Sequence, residues 1–289
     1  MKVARFWATE EATSVDADGI ELRTSAWGWS SSSLDEAKSR AKATAERVAR
    51  WLAGLDDTAP HESRQYQYLL DRPPREEIIQ EFRDADGETA SLITRNKYGS
   101  LVLNCRDLMF VDVDFPPPPF WRALWAWIRR RKPQTDDLAA DVTARVRTWC
   151  VANANIPVRL YQTAAGLRLA IVDRPMQAGS AEARRILEEL GSDPLYQRLC
   201  DAQQCFRARL SPKPWRVGVK SPDERFPYQD EASEQAHRDW LQTYESAASS
   251  YSTCQLVEVF GPPNVDSTLA PLVELHDAMT GASNRLPLA

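Results

Sequence analysis

Two aspartates separated by one residue are the side chains whose type and spacing most clearly indicate a chemical role. Asp112 and Asp114 close the apolar segment from Leu101 to Phe115, just before four prolines at 116–119. Side chains alternate along a strand, so both carboxylates lie on one face. Two neighbouring carboxylates repel each other, and a hard cation such as Mg2+ removes that cost because it binds carboxylate oxygen. The pair predicts either a metal site or a strand that ends in a polar loop.

A basic segment provides charges of the opposite sign. No acidic residue lies between Asp201 and Asp223, although the whole chain has a formal net charge of -5. The cations of this segment are Arg207, Arg209, Lys213, Arg216 and Lys220. Such a run on an acidic background favours a ligand that carries phosphate, since guanidinium and ammonium groups bind phosphate by charge-assisted hydrogen bonds. The alternative is a basic surface loop that pairs with acids elsewhere.

The five cysteines are scattered and form no Cys-x-x-Cys pair, which argues against a zinc site built on paired cysteines. We predict reduced, mostly buried thiols and a cytoplasmic protein. The first residues lack the apolar core of a signal peptide, and no apolar run is long enough to span a bilayer.

Histidine offers little for a metal site, because the chain has only three of these residues. His276 and Asp277 are adjacent in a predicted helix, where neighbouring positions do not face each other. The sequence therefore predicts a structural or exposed histidine rather than a catalytic pair.

The elements that precede the aspartates are predicted to form a small leading unit. Strands over Lys2 to Ala8 and Ile20 to Trp29 form a hairpin, and apolar residues spaced at three and four predict a helix over Leu34 to Leu55. A short strand is predicted at Tyr66 to Leu70, and a short amphipathic helix at Arg75 to Arg83.

The elements around the aspartates predict an α+β core. Leu101 to Leu103 is expected to pair with Leu108 to Val113 across a short turn. Helices and strands then alternate, and helices are expected on one face of a mainly antiparallel sheet. The predicted elements are helix 136–152, strands 158–162 and 167–172, and helix 180–190, which Ser180 caps and Gly191 ends.

A tryptophan-rich segment follows the prolines. Phe120 to Lys132 contains three tryptophans and a cationic end, and it predicts a short helix. Packing on the core is the default interpretation, while a membrane surface or a nucleic acid are alternative targets for its tryptophan and arginine side chains.

Three motifs occur in an order that resembles the archaeo-eukaryotic primase (primase-polymerase) superfamily. The first is the Asp-x-Asp of FVDVDF, and the second is the hairpin TAAGLRL at 163–169. The third is an acid with a following aromatic residue, Asp193 and Tyr196, ahead of the basic segment. The resemblance covers about residues 101–220, and the chain has Arg168 where the family has a histidine.

The resemblance implies an RRM-like or ferredoxin-like α+β core with a mainly antiparallel sheet. The primase-like core is placed at 96–225, and the predicted elements on either side of it form an N-terminal α+β extension at 1–95 and a C-terminal tail of helix and strand at 226–289. The resemblance further implies that Mg2+ or Mn2+ binds the carboxylates of Asp112, Asp114 and Asp193, with Glu188 and Glu189 as possible substitutes for the third acid. Nucleotide phosphates would be held by Arg168, Arg207, Arg209 and Lys213, and nucleic acid by Arg216 and Lys220.

Three functions stay open from the sequence. One is a metal-dependent nucleotidyltransferase that uses nucleoside triphosphates and single-stranded nucleic acid, for which two-metal chemistry is the general mechanism. The second is a catalytically inactive descendant that binds nucleic acid or protein, which Arg168 and the net acidity favour. The third is a metal-dependent phosphoesterase. The chain has no Gly-x-Ser-x-Gly and no P-loop motif, which disfavours a serine hydrolase and a P-loop enzyme.

Overall fold

The computed structural model of the chain describes residues 1–56, 73–116 and 136–289. These residues form ten strands and six α-helices, and their sheets are antiparallel, which confirms the predicted α+β class. Contacts along the chain define two compact units, Met1–Ile78 and Ile79–Ala289. The strand predicted at Tyr66 to Leu70 and the tryptophan-rich helix predicted at Phe120 to Lys132 lie outside the described residues. The division into segments 1–95, 96–225 and 226–289 stays a prediction.

The first unit is a hairpin covered by one helix, as the sequence predicts. Strands β1 (Phe6–Val15) and β2 (Glu21–Ser30) pair antiparallel. Helix α1 (Leu34–Leu52) begins after Ser33, whose side chain accepts a hydrogen bond from the amide of Glu36. The helix packs on the hairpin through a face of small residues, and its buried residues are Ala37, Ala41, Ala45 and Ala49.

The second unit contains two four-stranded sheets. The first has the order β3-β4-β5-β9 and consists of β3 (Glu77–Arg83), β4 (Thr89–Arg95), β5 (Leu101–Cys105) and β9 (Phe206–Arg209). The second has the order β10-β7-β8-β6 and consists of β6 (Met109–Asp114), β7 (Val158–Thr163), β8 (Gly166–Ile171) and β10 (Cys254–Phe260). Residues of both sheets, such as Leu103 and Phe110, belong to one hydrophobic core.

Five helices complete the described part of the second unit; four pack on this core, and the one that contains Tyr244 packs in a separate cluster with Val217 and Ala289. The five helices are α2 (Asp136–Ala152), α3 (Ala181–Leu190), α4 (Pro194–Gln203), α5 (Glu231–Ala248) and α6 (Ala270–Thr280), with a 3-10 turn at Pro214–Arg216. Helix α3 is capped by Ser180 and ends at the left-handed Gly191, as predicted. All five cysteines are buried and free.

Two predictions about strands are wrong. The segment predicted as a helix at Arg75 to Arg83 contains β3, because its isoleucines and phenylalanine suit a strand and β4 provides a hydrogen-bonding edge. The predicted pairing of β5 with β6 is also wrong, since the two strands belong to different sheets. Strand β5 pairs with β4 and β9, whereas β6 pairs with β8. The short connection after Cys105 carries the chain from one sheet to the other instead of closing a hairpin.

Candidate functional site

The register of β6 and β8 places Asp112 opposite Arg168. Arg168 Nε donates to Asp112 Oδ1 at 2.8 Å, and Arg168 Nη2 donates to Oδ2 at 3.3 Å. Only 3% of Arg168 is exposed. Burial disfavours the guanidinium charge, but the Asp112 carboxylate outweighs this effect and raises the pKa of Arg168 above its ordinary value. Arg168, which the resemblance aligns with a histidine, therefore holds the first aspartate in place.

Arg168 also connects the two sheets. Its Nη1 donates to the carbonyl of Arg209 on β9 at 2.9 Å and lies 3.4 Å from Nε2 of His276 on α6. These contacts occupy all three nitrogens of the guanidinium group. Arg168 thus acts as a support inside the protein, and its direct contact with a nucleotide stays a prediction.

The start of α4 is fastened to the backbone of β6. Ser192 Oγ donates to the carbonyl of Asp112 at 3.0 Å, and the Tyr196 hydroxyl donates to the carbonyl of Phe110 at 2.9 Å. Between them, Asp193 is the N-cap of α4 and accepts a hydrogen bond from the amide of Leu195 at 3.0 Å. This arrangement brings the third predicted acid to the end of the strand that carries the Asp-x-Asp motif.

The pKa of Asp114 depends on the neighbouring acids and on the cations of the basic segment. Burial raises the pKa of its carboxyl, and the negative charges of Asp112 and Asp193 raise it further. The positive charges of Lys213 and Arg209 act in the opposite direction. The structure therefore gathers the three predicted acids and two of the predicted cations at one place.

Three residues of the basic segment form a cationic surface beside Asp114: Arg209, Lys213 and Arg216. Burial lowers the pKa of each of the three side chains. The charges of Arg168 and Arg216 further lower the pKa of Arg209, and those of Arg209 and Arg216 lower the pKa of Lys213. Cations that destabilise one another in this way gain free energy when an anion binds among them.

The other residues that the resemblance implies have different surroundings. Arg207 Nη1 donates to Gln203 Oε1 at 2.7 Å, and Lys220 is exposed while its carbonyl accepts from Trp240 Nε1 at 2.9 Å. Glu189 accepts from Trp149 Nε1 at 2.8 Å and from Arg185 at 3.0 Å on the outside of α3. Glu188 is exposed on the same helix. Asp193 is a better candidate for the third acid than Glu188 or Glu189, because its negative charge raises the pKa of Asp114.

The acids do not form a ready set of metal ligands. Across residues 1–56, 73–116 and 136–289, no group of three histidine, cysteine, aspartate or glutamate side chains is arranged to hold an ion. Both carboxylate oxygens of Asp112 face Arg168, and Asp193 caps a helix. The arrangement as it stands fits an anion on the cationic surface better than a divalent ion between the three acids.

The sequence did not predict a hydrogen-bonded chain that runs behind Arg168. His276 is fully buried, in agreement with the structural alternative of the prediction, but its Nδ1 lies 3.0 Å from Asp277 Oδ1, so these adjacent helix residues do contact each other. The short aspartate side chain reaches the ring of the preceding residue. Asp277 also accepts from the Tyr161 hydroxyl at 2.7 Å and from Arg159 Nη2 at 2.5 Å.

Burial lowers the pKa of His276, so the ring is neutral. A neutral ring that donates from Nδ1 to Asp277 leaves Nε2 to accept from Arg168. The sequence signal for this burial is the spacing of Val273, His276 and Thr280 on one face of α6.

Comparisons with known proteins assign no class to this site. No protein-family model matches the chain, and no curated protein or solved structure shows significant similarity to it. None of the helices in the described residues is both long and apolar enough to cross a membrane. A function is therefore inferred from the charges and contacts of the site itself.

Proposed function

We propose that the second unit is a primase-like module that binds the phosphates of nucleotides and single-stranded nucleic acid on the cationic surface. The observation that carries this proposal is the gathering of Arg209, Lys213 and Arg216 beside Asp114, where burial first and mutual repulsion second lower the pKa of Arg209 and Lys213. A bound phosphate relieves that repulsion. The five free, buried cysteines fit a reducing compartment, and we place this activity in the cytoplasm.

The balance of charges supports an anionic ligand. The buried Arg168 and the partly exposed Asp112 neutralise each other in an ion pair. Three cations then remain beside two acids, Asp114 and Asp193. Arginine offers two parallel hydrogen bonds to a phosphate, and lysine offers a point charge. The surface therefore has the chemistry that phosphate recognition requires, without a bound metal ion.

The proposal is tested by the binding of a labelled oligothymidylate, measured by fluorescence anisotropy in the presence of EDTA. The double variant Arg209→Ala and Lys213→Ala should bind at least about tenfold more weakly, because each lost phosphate contact weakens binding and reduces the salt dependence by about one counterion. The matched control, Lys42→Ala with Arg47→Ala, removes two exposed cations from α1 and should leave affinity unchanged. Equal affinities of the wild type and the Arg209/Lys213 variant would overturn the proposal.

Metal-dependent nucleotidyl transfer is the second candidate, and the raised pKa of Asp114 favours it. Three acids that repel one another gain stability when a divalent cation binds. In this case Asp112, Asp114 and Asp193 would hold Mg2+ or Mn2+, which supplies charge stabilisation to a reacting triphosphate. Arg209 and Lys213 would bind that triphosphate, and Arg168 would keep Asp112 in place.

This second candidate is tested by Mn2+ titration of the wild type and of the Asp112→Asn, Asp114→Asn double variant. If the chain transfers nucleotides by this mechanism, Mn2+ should raise the unfolding temperature of the wild type but not that of the double variant. Extension of a primer with labelled nucleotides on single-stranded DNA then separates a polymerase from a phosphoesterase. A thermal shift of equal size in both proteins would rule out metal binding by the Asp-x-Asp motif.

A further inference from the structure

Two aromatic side chains, Tyr98 and Trp215, lie beside the cationic surface and have no role in the function proposed so far. Tyr98 is in the turn between β4 and β5, and Trp215 is in the 3-10 turn after β9. Their ring centroids are 5.2 Å apart, with an angle of 86° between the ring planes. Of the Trp215 surface, 49% is exposed. We name these two residues the aromatic pair.

The backbone holds the aromatic pair in place. Asn96 Oδ1 accepts from the amides of Tyr98 at 2.9 Å and Ser100 at 3.2 Å, which fixes the turn. Ser100 Oγ then donates to the carbonyl of Pro212 at 2.8 Å. The turn that carries Tyr98 is thereby joined to the segment that leads to Trp215. An exposed indole on so well-fixed a backbone is available for contact without a large loss of conformational entropy.

Lysines flank both rings. Lys97 Nζ lies 5.0 Å from the centroid of Tyr98, and Lys213 Nζ lies 5.5 Å from that of Trp215. Lys213 also belongs to the cationic surface, and Arg216 directly follows Trp215. The aromatic pair therefore adjoins the proposed phosphate site, with cations on either side of the indole in the sequence.

A single exposed tryptophan needs no explanation on a protein surface. Here, however, aromatic rings alternate with cations at the edge of a surface that favours anions. Proteins that bind single strands combine these two features, since the cations follow the backbone and the bases stack on aromatic side chains. The combination therefore favours single-stranded nucleic acid as the ligand of the aromatic pair.

We propose that a base of single-stranded nucleic acid stacks on Trp215, with Tyr98 beside it, while the adjoining phosphates bind the cationic surface. This inference rests on the proposed function and adds the residue that receives a base. The flexible stem of Lys213 lets its ammonium group leave the ring and reach a phosphate. Stacking accepts every base, so the site is expected to show little sequence preference.

The test compares two oligonucleotides of equal length, one with all its bases and one in which every base is replaced by an abasic site. Their phosphates are identical, so phosphate binding alone does not distinguish them. Removing the bases should weaken binding to the wild type roughly fivefold to hundredfold. Trp215→Ala should weaken binding of the complete oligonucleotide by a similar factor and leave that of the abasic one unchanged. Trp215→Phe should retain most of the affinity, because a ring remains.

The control variant is Trp51→Ala, which removes another partly exposed tryptophan from α1 and should bind both oligonucleotides as the wild type does. The stacking proposal is overturned if Trp215→Ala weakens both oligonucleotides equally, since the tryptophan then only supports the fold. It is also overturned if Trp215→Ala has no effect while Arg209→Ala with Lys213→Ala weakens binding, in which case phosphate binding stands. If the wild type binds neither oligonucleotide, the proposed function fails and stacking fails with it.

Discussion

The ion pair between Asp112 and Arg168 combines a nearly buried guanidinium group with a carboxylate that is 35% exposed at its side chain. Removing one partner of such a pair leaves a buried charge without compensation, which costs much more than a surface pair contributes. The two aspartates of the Asp-x-Asp motif thus have different roles. Asp112 stabilises the interior, and Asp114 faces the ligand surface.

Asp112→Ala should lower the free energy of unfolding by about 3 kcal/mol, because Arg168 stays buried without its counterion. Asp114→Ala is the matched control, since it changes the same residue type on the same strand and should cost less than about 1 kcal/mol. Urea unfolding followed by circular dichroism measures both values. Similar losses of unfolding free energy in the two variants would contradict the different roles of the two aspartates.

Asp114→Asn should stabilise the protein at neutral pH, by about 0.5 kcal/mol after allowance for solvent screening. The folded-state pKa of Asp114 is raised above 3.8, so the folded protein binds more protons than the unfolded chain in the window just above that value. Its contribution to stability is therefore lost as pH rises through this window. Thermal unfolding should show a difference between variant and wild type at pH 7 that disappears below about pH 3.8. The same variant should bind oligonucleotide more tightly in EDTA, because one repulsive charge is gone.

Sequence reasoning could identify the side chains of the site but not their partners. The spacing of Asp112 and Asp114, and the basic segment that follows, predicted a shared place for acids and cations. The contact of Arg168 with His276 joins residues 108 positions apart in the sequence, and no local sequence pattern predicts a contact over such a separation. The aromatic pair escaped prediction for the same reason, because Tyr98 and Trp215 meet only after β5 and β9 have paired.

At the scale of elements, Gly166 determines how closely β8 approaches β6. It pairs with Asp114, and a Cβ atom at this position would lie 2.2 Å from the carbonyl oxygen of Val113. That neighbour is backbone, so a larger residue forces the two strands apart. The position of Asp114 thus depends on a residue without a side chain.

Gly166→Ala should lower the free energy of unfolding by about 2 kcal/mol through this overpacking, and it should change oligonucleotide binding because it displaces the Asp114 charge relative to the cationic surface. Gly87→Ala provides a control, since Gly87 has a positive φ of 79° but open space around it. It should cost about 1 kcal/mol from backbone strain and leave binding unchanged. Chemical unfolding and anisotropy titration on the same samples separate the two effects. Unaltered binding by Gly166→Ala would show that the close approach does not position Asp114.

Local signals and long-range pairing explain which elements the sequence predicts. The spacing of apolar residues predicts helix α1, and Ser180 and Gly191 predict the two ends of α3. The short apolar pattern of β3 fits the period of a helix as well as that of a strand, and only its pairing with β4 decides between them. The separation of β5 and β6 into different sheets depends on β9, which follows 100 residues later and completes the first sheet.

At the scale of the whole molecule, the two compact units have separate internal contacts. Gly28 is the position where α1 lies closest to the hairpin, because a Cβ atom there would lie 2.1 Å from the carbonyl oxygen of Ala37. Gly28→Ala should therefore destabilise the first unit by about 2 kcal/mol. Oligonucleotide binding by the second unit should stay at the wild-type value. A parallel loss of binding in this variant would show that the two units depend on each other.

The distribution of the cysteines has a practical consequence for such experiments. All five lie in the second unit, and burial raises the pKa of the Cys150 and Cys200 thiols to about 12. An alkylating reagent reacts with the thiolate, so these side chains stay unmodified until the second unit opens. The rate of labelling, followed by mass spectrometry, then reports the opening of this unit alone. The native cysteines thus serve as labelling sites for the second unit, and no cysteine has to be introduced by mutation.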